Sequence, residues 1–196
     1  MRRLRHAELP EATETLARYL IGKTLVRELP RARLAGRIVE TEAYLPGDAA
    51  CHAYSGITHR NRALFMAHGH AYVYFIYGNH FMLNVSSERE GVGAGVLLRA
   101  VEPLEGIELM QKHRSIVRLH ELTNGPGKLA QAFRINMRLY GNDYSGEGPL
   151  WLADAVQPVG RIGKSRRIGI NKNAHRLLRF YERGNPFVSG PRALRD

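Results

Sequence analysis

With a single cysteine, Cys51, the chain can form no internal disulfide and has no zinc-ribbon spacing; a lone thiol suits a reducing compartment. No apolar run approaches the ~18–20 residues that a membrane-spanning helix requires, so no membrane span is expected. The basic start, Met1 to His6, is not followed by the apolar core of an export signal. That predicts a protein that is not secreted: cytoplasmic and nucleoid-associated in a bacterium, nuclear in a eukaryote. The P-loop spacing is missing, as is a Gly-x-Gly-x-x-Gly fingerprint after a strand, so neither nucleotide-binding fold is expected. Repeats, heptads, low-complexity segments and linkers are also missing, and the 196 residues fit one domain over 1–196.

Acidic residues are few relative to basic ones: 18 Asp and Glu against 29 Lys and Arg, mostly arginine, for a net +11. The planar guanidinium matches phosphate, and a basic surface steers polyanions, so nucleic acid is the natural partner. Charge alone says nothing about chemistry.

Pattern and punctuation place the elements. Pro10 to Ile21 reads as a helix with Leu16, Ala17, Leu20 and Ile21 as its apolar stripe and Gly22 just past its end. Lys23 to Leu29 and Arg33 to Glu42 read as strands, Leu45 to Gly69 as a long loop over a site, and Ala71 to Tyr77, Phe81 to Ser87 and Gly95 to Val101 as further strands. Pro103 to Arg114 reads as a helix, and a second opens after Asn124-Gly-Pro-Gly-Lys128 and runs to about Ile135. Leu150 to Ala153, Arg161 to Ile170 and Leu177 to Tyr181 are short strand candidates. The tail from Asn185, rich in Pro, Gly and Arg, is expected on the surface.

Chemistry concentrates in Ile38-Val-Glu-Thr-Glu-Ala-Tyr44. Alternation in a strand puts Ile38, Glu40 and Glu42 on one face, with the carboxylates about 6–7 Å apart. Like charges at that spacing, when buried, favour keeping a proton on one of them, which makes an acid or base useful near neutral pH. A solvated or arginine-paired glutamate is the plainer reading, and spacing does not choose between Glu40 and Glu42. The Pro46-Gly47-Asp48 turn can bring His52 back near Glu42.

Aromatic and basic residues fill out the pattern. In Ala71-Tyr-Val-Tyr-Phe-Ile-Tyr77, Tyr72 and Tyr74 share a face, and Tyr77 falls at a turn made by Gly78 and Asn79. These are core tyrosines or a stacking platform with a wedge for a duplex. Asn84 and Arg99 interrupt apolar strands, where buried polar groups need partners, structural or substrate. Arg60 and Arg62, and Lys128 beside a glycine-rich helix start, are placed to grip phosphate.

Taken in order, Val39-Glu-Thr-Glu-Ala-Tyr44, Ala50-Cys-His52, Arg60-Asn61, Tyr72 to Gly78, Asn84-Val-Ser-Ser87, Val96 to Gly106, Gly125-Pro-Gly-Lys-Leu129 and Arg179-Phe-Tyr181 resemble the alkyladenine (3-methyladenine) DNA glycosylase family over nearly the whole chain. The resemblance implies an α+β (mixed α/β) domain: a strongly curved antiparallel sheet surrounded by helices, with no metal or organic cofactor. It implies Glu42 as the general base that activates water, Arg99 beside the reacting sugar, and Glu40 as structural. Tyr44 and His52 would stack on one side of a flipped base and Tyr74 on the other, Asn84 would disfavour guanine's amino group, and Tyr77 would fill the gap left in the duplex. The implied partner is double-stranded DNA holding a damaged purine, met by a monomer without strand cleavage. Two other readings compete: a non-catalytic binder of damaged DNA, and a metal-dependent nuclease built on Glu40 and Glu42.

Overall fold

Residues 1–191, which this computed structural model describes, are arranged around one long strand, β2 (Ala32–Tyr44). Ile38, Val39 and Thr41 suit a strand covered on both faces. Gly36 permits a close crossing, since a Cβ there would lie 2.7 Å from Val101 Cγ2. β2 pairs antiparallel with β5 (Gly95–Glu105) along most of its length, with β1 (Thr24–Leu29) over its first half and with β8 (Arg179–Glu182) at Glu40 to Glu42. The glutamates therefore sit in the middle of the sheet.

Two further hairpins extend it. β3 (Ala71–Ile76) pairs with β4 (His80–Ser86), which reaches β5, while β6 (Leu150–Ala153) extends β1 and β7 (Ile162–Ser165) pairs with β8. The strand order is β3-β4-β5-β2-β1-β6, and the eight strands curl into a half-barrel. With α1 (Thr13–Leu20), α2 (Ile107–Arg114) and α3 (Pro126–Ala132) against it, this is the α+β fold with a strongly curved antiparallel sheet that the sequence implies. No helix among the described residues is long and apolar enough to cross a membrane.

The main core forms where the stripe of α1 meets the sheet: Leu16, Ala17, Leu20 and Ile21 pack with Leu34, Ile38, Ala43, Leu98 and Val101. Ala12 gives α1 no side-chain cap. Glu88, distant in sequence, substitutes for it: its carboxylate accepts the Thr13 N–H at 2.9 Å and the Thr13 hydroxyl at 2.6 Å. A carboxylate there also suits the helix dipole.

Three expectations are corrected. The segment from Pro103 is strand as far as Glu105, with Pro103 opposite Gly36 at an irregularity of the ladder; Gly106, at φ 77, breaks the strand, and α2 starts only at Ile107. The strand expected over Arg161–Ile170 stops at Ser165, because Arg167 turns inward to a buried partner. The start of the tail is not superficial: Asn185, Phe187, Val188 and Ser189 are buried, and Phe187 and Val188 pack on Val39, Ala100 and Tyr181, while the rest of the expected tail, 192–196, lies outside the described residues.

Candidate active site

The β2–β5 ladder carries two compensating bulges. Ile38 lies opposite Val101, Glu40 opposite Ala100 and Thr41 opposite Leu98, so Val39 is extra on β2 and Arg99 is extra on β5. One slip alone would throw every later side chain to the wrong face; two restore the register and re-aim only the residues between them. Ile38 consequently joins Ala43 and Leu98 in the main core, while Glu40 faces Arg99. The expectation that Ile38 shares a face with the glutamates fails on these bulges.

Glu40 and Glu42 are both fully buried, and Arg99 stands between them. Its Nε donates to Glu40 Oε1 at 2.7 Å, and its Nη1 is 3.2 Å from Glu42 Oε1. The guanidinium offsets the repulsion that two neighbouring carboxylates would suffer. Burial opposes the Arg99 charge, but the two glutamates outweigh it and raise its pKa. Glu40 also accepts from Arg179 Nε at 2.7 Å and from the Ser189 N–H and hydroxyl at 2.6 and 2.8 Å. Such saturation leaves Glu40 a structural task. Glu42 has fewer partners: Oε1 accepts the Ile168 N–H at 2.7 Å and Oε2 accepts the Tyr44 hydroxyl at 2.9 Å. A carboxylate offers about four lone-pair positions, and with Arg99 counted one remains, on Oε2.

Tyr44, Ile168 and Arg99, the three groups that hold Glu42, all line a cavity of about 280 Å³. That is at the small end of ligand sites, suited to one planar group. His52, Tyr74, Tyr77 and Asn84 line the same cavity, whereas Arg60, Arg62 and Lys128 lie outside its lining. Asn84 Nδ2 donates to the Tyr72 carbonyl at 3.0 Å, which leaves its side-chain oxygen as the acceptor free for the cavity. His52 and Tyr74 touch, with ring centroids 4.5 Å apart and planes at 66°; a base placed between them must part them. Burial, then Glu42, pushes the Tyr74 hydroxyl up to about 12, and burial and Glu42 likewise raise that of Tyr44, so both are neutral donors.

His52 is held through its Nδ1, 2.8 Å from the Tyr72 hydroxyl. The protein around the ring and the nearby Arg60 cation lower its pKa, so the imidazole is neutral at pH 7. Where the tyrosine O–H is the donor to Nδ1 the ring proton sits on Nε2, and the opposite tautomer reverses the contact.

Tyr77 crowns the β3–β4 hairpin, 75% exposed and in the left-handed region at φ 56, followed by Gly78 at φ 70. A bulky residue with that backbone costs about 1–3 kcal/mol, and such strain gathers at functional sites. Arg60 and Arg62 are exposed beside this hairpin; Arg60 donates to the Phe75 carbonyl at 3.2 Å and lies over the Tyr74 ring. Lys128 turns back to Asn124 Oδ1 at 2.8 Å in the first turn of α3, where neighbouring Pro126 reaches the cavity.

Several residues of the site were given no part of their own in it from sequence. Tyr72 reads as a half-buried strand tyrosine, and only its pairing with His52 gives it a part. Ile168 acts through its backbone N–H and leaves no side-chain signal. Arg167 reads as one more solvated or phosphate-facing arginine, yet it is buried against Asp48. Ser189 hides in a polar tail.

Among the described residues, no three His, Cys, Asp or Glu side chains gather as a metal-binding set. Comparison with known proteins gives concordant matches. The family model of methylpurine-DNA glycosylase matches residues 7–186. Three bacterial proteins, each named "Putative 3-methyladenine DNA glycosylase", align over most of both chains. The one from Mesorhizobium japonicum is 60% identical over 97% of this chain and 91% of its own length. Those from Paraburkholderia phytofirmans and Chlorobaculum parvum are 49% and 48% identical over 95% and 98% of this chain, and 88% and 93% of their own lengths.

Proposed function

The chain belongs to the methylpurine-DNA glycosylase family, hydrolases of N-glycosidic bonds in DNA, and from that membership we propose a monofunctional enzyme that flips damaged purines out of a duplex and excises them with water. The substrate class is alkylated or deaminated purine: 3-methyladenine, 7-methylguanine, hypoxanthine and ethenoadenine. The observation that carries the reading is Glu42, buried and held by three residues that line a cavity of one-base size, Arg99, Tyr44 and Ile168, with one lone-pair position unspent.

A base inside a duplex must leave the stack, at a cost of a few kcal/mol that is least for damaged bases. Tyr77, preset at the hairpin tip, fills the space left behind and offsets part of that cost. In the cavity the base lies among Tyr44, His52 and Tyr74, whose faces favour a cationic alkylated purine. The His52 Nε2–H serves an acceptor on its edge, and Asn84 crowds the edge where guanine carries its exocyclic amino group, which disfavours undamaged guanine. As the C1′–N bond breaks, its electron pair leaves with the purine and the sugar gains oxocarbenium character. Water bound at Glu42 Oε2 adds its oxygen to C1′ and gives its proton to the carboxylate. Arg99 holds Glu42 oriented beforehand. No lysine attacks C1′, so the product is an intact strand with an abasic site.

The protein acts on double-stranded DNA as a monomer, within the compartment that holds the genome. Incubating it in chelator with duplex holding one hypoxanthine or one 7-methylguanine tests this reading. Free base should appear with a site that alkali alone cleaves. Strand cleavage without alkali, or binding without release, would overturn it.

A further inference from the structure

The ring of Tyr44 has a charged backing that the chemistry above does not use. Arg167 Cζ lies 4.6 Å from the centroid of that ring, and its Nη1 is 2.6 Å from Asp48 Oδ2. The side chains of both partners are completely buried. Nη1 also donates to the Ala43 carbonyl at 3.0 Å, which fixes the guanidinium against the end of β2. Tyr44 lines the cavity and Arg167 does not, so the guanidinium covers the ring from outside the space a base would occupy. Asp48 is fixed in turn, accepting from the Ala50 N–H at 3.0 Å and Asn173 Nδ2 at 2.9 Å.

A buried ion pair is a costly way to hold loops together, since apolar residues of the same volume do so at least as well. The position of this one matters more than its strength. A tyrosine face attracts cations through its quadrupole, and a guanidinium on one face weakens that attraction on the other and adds direct repulsion. Asp48 neutralises the guanidinium at 2.6 Å and so restores the open face.

We propose that the Asp48–Arg167 pair is a specificity-determining device: it sets how strongly Tyr44 favours a cationic purine over a neutral one. This rests on the glycosylase reading above, with Tyr44 stacking on the base. Asp48 and Arg167 touch no substrate atom and act only through the tyrosine ring and its electrostatics. Opposite charges make opposite predictions for the two partners, which a purely structural clamp does not.

The test is the ratio of single-turnover excision rates, 7-methylguanine over hypoxanthine, measured on one preparation so that the folded fraction cancels. With an effective dielectric near 20, one uncompensated charge across the ring changes that ratio roughly tenfold. Asp48→Asn leaves a cation behind Tyr44 and lowers the ratio by about that factor; Arg167→Gln leaves the more distant Asp48 anion and raises it, by a smaller factor. The double variant, neutral again, returns the ratio to near the wild-type value even if both rates are lower. Should Arg167→Gln not fold, Asp48→Asn and the double variant carry the same contrast. Ratios that move together in both single variants, or do not move, overturn the proposal. Wild type that releases neither base overturns the glycosylase reading itself.

Discussion

Arg99 Nη1 stands 3.2 Å from Glu42 Oε1 while Arg99 Nε is committed to Glu40 at 2.7 Å, so the orientation of Glu42, the proposed general base, depends on its neighbour Glu40. Two bulges create this relationship, since Arg99 is the extra residue on β5 and Val39 the extra one on β2.

Removing the Glu40 charge tests that dependence. Glu40→Gln leaves Arg99 and Arg179 buried with one carboxylate fewer, and breaking a buried ion pair costs about 3–5 kcal/mol. Chemical denaturation should show a loss of that order. Ser189→Ala, which deletes one hydroxyl donor to Glu40, should cost about 1 kcal/mol.

At the hairpin tip, function and stability should move in opposite directions. Tyr77→Gly relieves the left-handed strain and should stabilise the free protein by about 1 kcal/mol. Without the wedge, excision from duplex should fall at least tenfold, whereas excision from single-stranded DNA, which needs no unstacking, should change little. Equal losses on both substrates would count against the wedge.

The alternation around Glu40 and Glu42, the tyrosines of β3 and the stripe of α1 were legible because each depends on neighbours within a few residues. The parity change at Val39 was not, since a bulge is a property of two paired strands. Glu88 capping α1, Ser189 on Glu40 and Asp48 on Arg167 join residues 75, 149 and 119 positions apart, and a single chain gives no sign of such partners. Gly106 was legible in kind and misplaced in use: it starts α2 rather than interrupting a helix.

The lowered pKa of His52 fixes a sign for pH. The unfolded imidazole, near 6.5, binds a proton more readily than the folded one. Stability from this group is therefore present above pH 6.5 and is lost as pH falls from there through the folded value. NMR of the imidazole should show a neutral ring at pH 7 protonated on Nε2. Tyr72→Phe, which removes the hydroxyl 2.8 Å from Nδ1, should scramble the His52 tautomers and lower hypoxanthine excision about tenfold.

Binding should be strongly salt-dependent for a chain of net charge +11. Six phosphate contacts give a slope of roughly −5 in log affinity against log salt, and Arg62→Ala should lower its magnitude by about 1. A flat profile would remove the basic surface from the account.

If Glu42 activates the water that releases the base, wild type and Glu42→Gln must part in single turnover on hypoxanthine-containing duplex. Glutamine keeps the shape and much of the hydrogen bonding but cannot take the proton. The Glu42→Gln rate constant should be lower by about 10²–10⁴-fold with duplex binding retained. A Glu42→Gln rate constant close to that of wild type would contradict that role.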